Sequence, residues 1–190
     1  MNNLRTKIAS YTTLTDEELN FALQYFKPIA VSKGEYLLRE GQYINFLYYL
    51  DKGCLCYFTR NDGQEQVIQF FTENDFLTDS YNYFLGKPSN CNLKAMEDSQ
   101  VYAITKEDTE SMFAHSQALE RFGRLFFQKE FIILAQRVAH LTNLSNEERY
   151  LRLIRKRPDL FQRVPQYLIA SYLGLTPVGL SKMKKRISQG

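Results

Sequence analysis

Residues 164–190 read VPQYLIASYLGLTPVGLSKMKKRISQG, and the spacing of three of them decides the reading of the whole chain. Ala170, Gly174 and Leu180 form an Ala-x3-Gly-x5-Leu pattern. A small residue lets two helices cross closely, a glycine four positions later opens a tight turn, and a leucine six further on anchors a second helix. Thr176 is a natural N-cap and Pro177 is favoured at the first helical position. In that second helix Leu180, Met183 and Ile187 fall on one side, while Pro177, Val178, Ser181, Lys182, Lys185 and Arg186 fall on the other. The pattern predicts a helix-turn-helix with an apolar back and a short-chained, cationic front.

Charge supports that front as a nucleic-acid surface. Residues 1–144 hold 14 Lys+Arg against 18 Asp+Glu, a net of −4, and residues 145–190 hold 10 against 3, a net of +7. A basic terminal module on an acidic body is the electrostatic footprint of DNA binding. The candidate DNA-binding residues are Thr176, Pro177, Val178, Ser181, Lys182, Lys184, Lys185 and Arg186. Ser181 and Lys182 are placed to reach base edges; Lys184, Lys185 and Arg186 are placed for phosphates. Three residues follow Ile187, so no wing strands are expected there, and further phosphate contacts are assigned to Arg149, Arg152 and Arg163.

Upstream, Thr15-Asp16-Glu17-Glu18 and Ser145-Asn146-Glu147-Glu148 have capping-box spacing, and Thr105 opens another helix before Glu107-Asp108. Between Ile29 and Ile104, runs such as YLLRE, FLYYL, CLCYFTR and QVIQFF alternate with turn signals, Asn61-Asp62-Gly63 among them. Short strands at this spacing predict a small barrel or jelly roll. From Gln117 to Leu141 a long helix is apolar on more than one face, with Gly123 its one weak point. Leu119, Phe122, Phe126 and Ile133 are its candidate dimer contacts. The expected organisation is α+β: a jelly roll with flanking helices over 1–115, a dimerisation helix over 116–144, and an all-α helix-turn-helix domain over 145–190.

Other classes fit poorly. No apolar run approaches the ~20 residues of a membrane span, and the first residues lack the apolar core of a signal peptide, so a cytoplasmic protein is expected. Cys54, Cys56 and Cys91 are read as packed thiols. A metalloenzyme on a jelly roll needs histidine ligands on its strands, and residues 29–104 contain none. No enzyme and no metal site are expected. The competing reading is a ligand sensor or interaction module without DNA binding.

On these residues the chain resembles the Crp/Fnr regulators, over about residues 10 to 187. The match runs through LLREGQYINFLYYLDKGCLCYFTRNDGQEQVIQFF, with its Gly41 and Gly53 turns, then NDFL and the helix-turn-helix. The flavour is that of a divergent, Bacteroidetes-type branch. The resemblance implies a cyclic-nucleotide-binding jelly roll and a homodimer, with double-stranded DNA, RNA polymerase and an unidentified small-molecule effector as partners.

It also supplies a test of the ligand. Members that bind cyclic AMP carry F-x-G-E, followed ten residues later by Arg-Ser or Arg-Thr; the Glu takes the ribose and the Arg the phosphate. Laid on this chain, the Glu falls on Asp79 and the Arg-Ser pair on Ser89-Asn90. A Thr-Ser pair that meets the adenine falls on Leu134-Ala135. The implied effector pocket is therefore Thr78, Asp79, Ser80, Ser89, Asn90, Leu134 and Ala135, without the arginine. Losing a charge-assisted hydrogen bond to phosphate forfeits about 1.5–3 kcal/mol, so cyclic AMP is not expected to bind. The iron–sulfur branch needs an N-terminal cysteine cluster, which residues 1–40 lack. His115 and His140 lie in helical stretches, and neither haem nor an iron–sulfur cluster is expected. At the DNA end, Pro177, Val178 and Lys182 replace the family's base-reading residues, so the operator does not carry over.

Overall fold

Asp62 (φ 50°) and Gly63 (φ 75°) turn the chain back between strands β4 (Leu55–Asn61) and β5 (Gln64–Phe71) in the computed structural model, which describes residues 1–189. Positive φ at both central positions gives the hairpin turn whose twist matches its strands. On its other edge β4 pairs with β7 (Asn92–Ala95), which pairs in turn with β2 (Tyr36–Leu38). The second sheet has the order β1-β8-β3-β6, from β1 (Lys27–Val31), β8 (Ser99–Thr105), β3 (Phe46–Lys52) and β6 (Phe76–Leu77). All pairings are antiparallel.

The middle of β3 and the start of β4 are covered on both faces, which is why LYYL and LCYF are apolar without interruption. On β3, Tyr48 and Leu50 enter the sandwich interior with Leu55 of β4 and Leu93 of β7. Leu47 and Tyr49 point the other way, into a helical layer. That layer comprises α1 (Asn2–Ala9), α2 (Asp16–Leu23), α4 (Lys106–His115) and the start of α5 (Gln117–Asn143). Along β4 and the residue before it the alternation is the same: Cys54, Cys56 and Phe58 leave the sandwich and pack in one core with Tyr150, Leu168, Ile169 and Leu173. Those residues belong to α6 (Asn146–Lys156) and α8 (Gln166–Tyr172) and the turn after it; α7 (Leu160–Arg163) and α9 (Pro177–Gln189) complete the group. The result is four layers, helices–sheet–sheet–helices, with a short α3 (Ser80–Leu85) at the edge.

Local chemistry sets the boundaries. Both capping boxes form, with Glu18 and Glu148 reaching back to the N–H of Thr15 and Ser145. Thr105 accepts from the Asp108 N–H to start α4. Gly123 reflects a close approach: a Cβ there would lie 2.6 Å from the Phe113 ring of α4.

The long helix divides in two. Leu119, Phe122 and Phe126 are fully buried in the chain's own core against Tyr11 and Phe76. Their expected role as dimer contacts is corrected: a helix that covers a sheet spends its N-terminal apolar face at home. Ile133 belongs to the second half, where Phe131, Leu134 and Val138 are also exposed. Among the described residues, no helix is long and apolar enough to cross a membrane.

Candidate nucleic-acid interface and ligand pocket

Helix α8 ends in a paired hydrogen-bond closure. The Leu175 N–H donates to Ala170 O (2.9 Å) and the Gly174 N–H to Ser171 O (2.9 Å), with Gly174 at φ +72°. This is the six-to-one, five-to-two arrangement that ends a helix on a left-handed residue. It turns the chain straight into α9, where Thr176 Oγ1 accepts from the Gly179 N–H (3.1 Å). Ala170 is fully buried at the crossing, and Leu180 and Met183 are buried beneath α9.

The opposite side of α9 is open. Thr176, Pro177, Val178, Ser181, Lys182, Lys185 and Arg186 are exposed, Val178 by 64%, and Lys184 is half-buried. Ser181 Oγ donates back to Pro177 O (3.1 Å), and Arg186 pairs with Glu147 of α6 (2.7 Å) across exposed surface. Arg152 is exposed on α6.

Two arginines assigned to phosphate sit elsewhere, and the assignment is corrected. Arg149 donates to Leu144 O (2.6 Å) and Leu173 O (3.1 Å), tying the end of α5 to the end of α8. Arg163 holds Glu73 through both guanidinium nitrogens (2.9 and 2.7 Å) and Glu97 at 2.6 Å, clamping the helices to the sandwich. Burial works to raise the Glu73 carboxyl, but hydrogen bonds from Arg163 and the Gly53 N–H outweigh it and bring it down to about 2. The hydrogen bonds that Arg163 donates to Glu73 and Glu97 push its guanidinium further up. Ser171 adds to the junction by accepting from the Val67 N–H (2.9 Å) and donating to Glu65 O (2.8 Å).

The pocket residues are partly brought together. Asp79 caps α3, and its Oδ2 accepts from Ser89 Oγ (2.5 Å) and Asn82 Nδ2 (2.8 Å). Asp79 and Ser89 are both buried. Ser89 Oγ also accepts from the Cys91 N–H (3.0 Å), and Asn82 Nδ2 reaches Asn90 Oδ1 at 3.5 Å. Thr78 Oγ1 donates to Phe46 O (3.0 Å), and Ser80 opens α3. Asn82 was missed in the sequence, although its place three after Asp79 is where a cap's partner sits.

Leu134 and Ala135 do not join this cluster. Leu134 lines a separate cleft with Arg60, Gln66 and Tyr172, and Ala135 is exposed nearby on α5. Instead Phe127 meets α3, its ring 4.9 Å from that of Phe84. Ungapped transfer along a helix misplaces a contact whenever the helix packs at a different height. Among the described residues no group of His, Cys, Asp and Glu could hold a metal ion.

A sandwich, a long helix and a helix-turn-helix in this order is a known arrangement. The chain has a Crp/Fnr-type fold. The cyclic nucleotide-binding domain family matches residues 28–116. Among solved structures, the c-di-GMP responsive global regulator CLP of Xanthomonas campestris is similar at a TM-score of 0.72 and 16% identity, covering 92% of each chain. FixK2 of Bradyrhizobium japonicum is similar at 0.70 and 16% identity, over 86% of this chain and 85% of its own. The catabolite activator protein of Thermus thermophilus is similar at 0.60 and 18% identity, over 96% and 87%. No curated protein matches the sequence. In this fold Asp79 and Ser89 hold each other in a buried hydrogen bond.

Proposed function

We propose that the protein is a homodimeric, sequence-specific DNA-binding transcription regulator whose jelly-roll site does not take cyclic AMP. The observation that carries the DNA-binding reading is α9 itself, anchored by Leu180 and Met183 with an exposed face of short and cationic side chains. An exposed helix of this kind, set on a close-crossing partner, fits the major groove by its N-terminal residues. Thr176, Pro177, Val178, Ser181 and Lys182 face bases in this reading, and Lys184, Lys185 and Arg186 lie towards phosphates.

The dimer reading rests on the second half of α5. Phe127, Phe131, Leu134, Val138 and Leu141 follow one another at steps of four, three, four and three, the seam of a two-helix coil. Phe131 is 71% exposed and Leu134 57%, surface that a second copy would cover. A two-fold dimer places its recognition helices about one DNA turn apart, so the operator is expected to be palindromic.

The ligand reading rests on the Asp79–Ser89 bond. A phosphate entering there would meet a carboxylate and no arginine. Selection of genomic fragments by the purified protein tests the proposal. It expects enrichment of palindromic sites without added nucleotide, and recovery of no site above background contradicts it.

A further inference from the structure

The apolar stripe on the second half of α5 stops short at its N-terminal end. From Leu141 back to Phe127 the seam positions are apolar, and the next two, Arg124 and Glu120, are exposed and charged. Phe131, Leu134, Val138 and Leu141 are 71, 57, 55 and 40% exposed. That leaves roughly 400 Å² of open side chain per copy, about half of the ~800 Å² each partner gives to a stable complex. The seam alone falls short of what holds two copies together.

The missing area lies beside it, on α3. Tyr81, Phe84 and Leu85 stand at i, i+3 and i+4 on one face of that helix, while Asn82 and Tyr83 are buried. The three are 73, 56 and 51% exposed, which adds nearly as much open side chain again. Phe84 joins the two surfaces. Its ring meets that of Phe127 edge to face, 4.9 Å away, at the point where the seam turns charged. No charge interrupts the face, since Ser80–Leu85 carries none. Large apolar side chains that are open and contiguous mark a surface another chain covers.

We infer that this face of α3 is the second half of the contact between two copies of the chain. The inference rests on the dimer reading above and extends it from one helix to two. In a two-fold pair, the helix of the second copy that meets Phe127 and Phe131 also lies across Phe84, with Tyr81 and Leu85 flanking it. Such a contact ties assembly to the buried cluster beneath. Asp79 caps α3 and Ser89 holds Asp79, so the second copy rests on the helix whose start that bond fixes.

Hydroxyl-radical footprinting of the wild-type chain tests this without a substitution. Tyr81 and Phe84 should be oxidised readily at dilutions where the chain is monomeric, and be protected where sedimentation shows a dimer. Tyr167, half exposed on the other helical layer, should react alike in both and serves as the reference. Tyr81→Asp with Leu85→Asp should weaken the dimer about tenfold or more, since neither side chain enters the core. If that double variant does not fold, the footprint decides alone. A wild-type dimer whose Tyr81 and Phe84 stay as reactive as in the monomer, or a folded double variant with unchanged dimer affinity, overturns the α3 contact and leaves the coil seam standing. A chain that is monomeric at every concentration overturns the dimer reading and this contact together.

Discussion

Ser89 Oγ donates a 2.5 Å hydrogen bond to Asp79 Oδ2, closing a buried contact between the start of α3 and the segment before β7. The bond sits in a buried cluster with Asn82 and the Cys91 N–H. Calorimetry with cyclic AMP is expected to show no binding at micromolar concentrations, and a micromolar Kd would contradict the reading. Ser89→Ala leaves Asp79 Oδ2 with Asn82 alone and the Cys91 N–H unpaired, at a cost of about 1–3 kcal/mol in urea unfolding.

The clamp of Arg163 on Glu73 and Glu97 predicts acid sensitivity. Glu73 is held at about 2 in the folded chain, against about 4.3 when unfolded. Its contribution is therefore complete above the unfolded value and fades as pH falls from there towards the folded one. Thermal melts should show the wild-type Tm dropping more steeply than that of Glu73→Gln across that acid window. At neutral pH the variant should melt lower. Parallel pH profiles would mean that the pair contributes nothing to stability.

Cys54 and Cys56 report on the same junction. Both are fully buried between β4 and the C-terminal helices, and burial pushes the Cys54 thiol up to about 12 and the Cys56 thiol further still. A thiol this buried and this weakly acidic is inert. Neither should react with a disulfide reagent in the native wild type at neutral pH, and Arg163→Ala should speed labelling of both by loosening the clamp. Rapid wild-type labelling would show that the helices do not stay docked.

On the open half of α5, Leu134→Asp with Val138→Asp places charges in the expected coil seam. Sedimentation should then show a dimer turning into a folded monomer, since neither side chain enters the chain's own core. A wild-type chain that sediments as a monomer would remove the basis for a palindromic operator.

Much of this architecture was legible in residue patterns. Turn chemistry at Asp62-Gly63, two capping boxes and the Ala170–Gly174–Leu180 spacing are local, and local signals survive folding. The misplacements share one cause, contacts between elements far apart in sequence. Leu119, Phe122 and Phe126 are as apolar as a dimer face, and only Phe76 and Tyr11 packing against them show which they are. Arg163 reads as one more basic residue near a DNA-binding helix until Glu73, 90 positions away, is found holding it. Helix α1 carried a weak signal, Leu4 and Ile8 one turn apart, which is the face it buries.

Lys182 lies on the exposed face of α9 and allows the phosphate and base roles to be separated. Lys182→Ala should relax specificity, costing about 1–3 kcal/mol against the preferred site and little against other sequences, if it reads a base. A uniform loss with a salt slope shallower by about 1 would place it on phosphate instead.

The central claim is a dimer that binds DNA with its nucleotide cassette closed on itself. Fluorescence anisotropy of a selected operator, titrated with protein across a range of salt with and without millimolar cyclic AMP, tests it most directly. The account predicts specific binding that weakens steeply with salt and is the same with and without the nucleotide. Binding that appears only with cyclic AMP, or that is flat in salt, would contradict it.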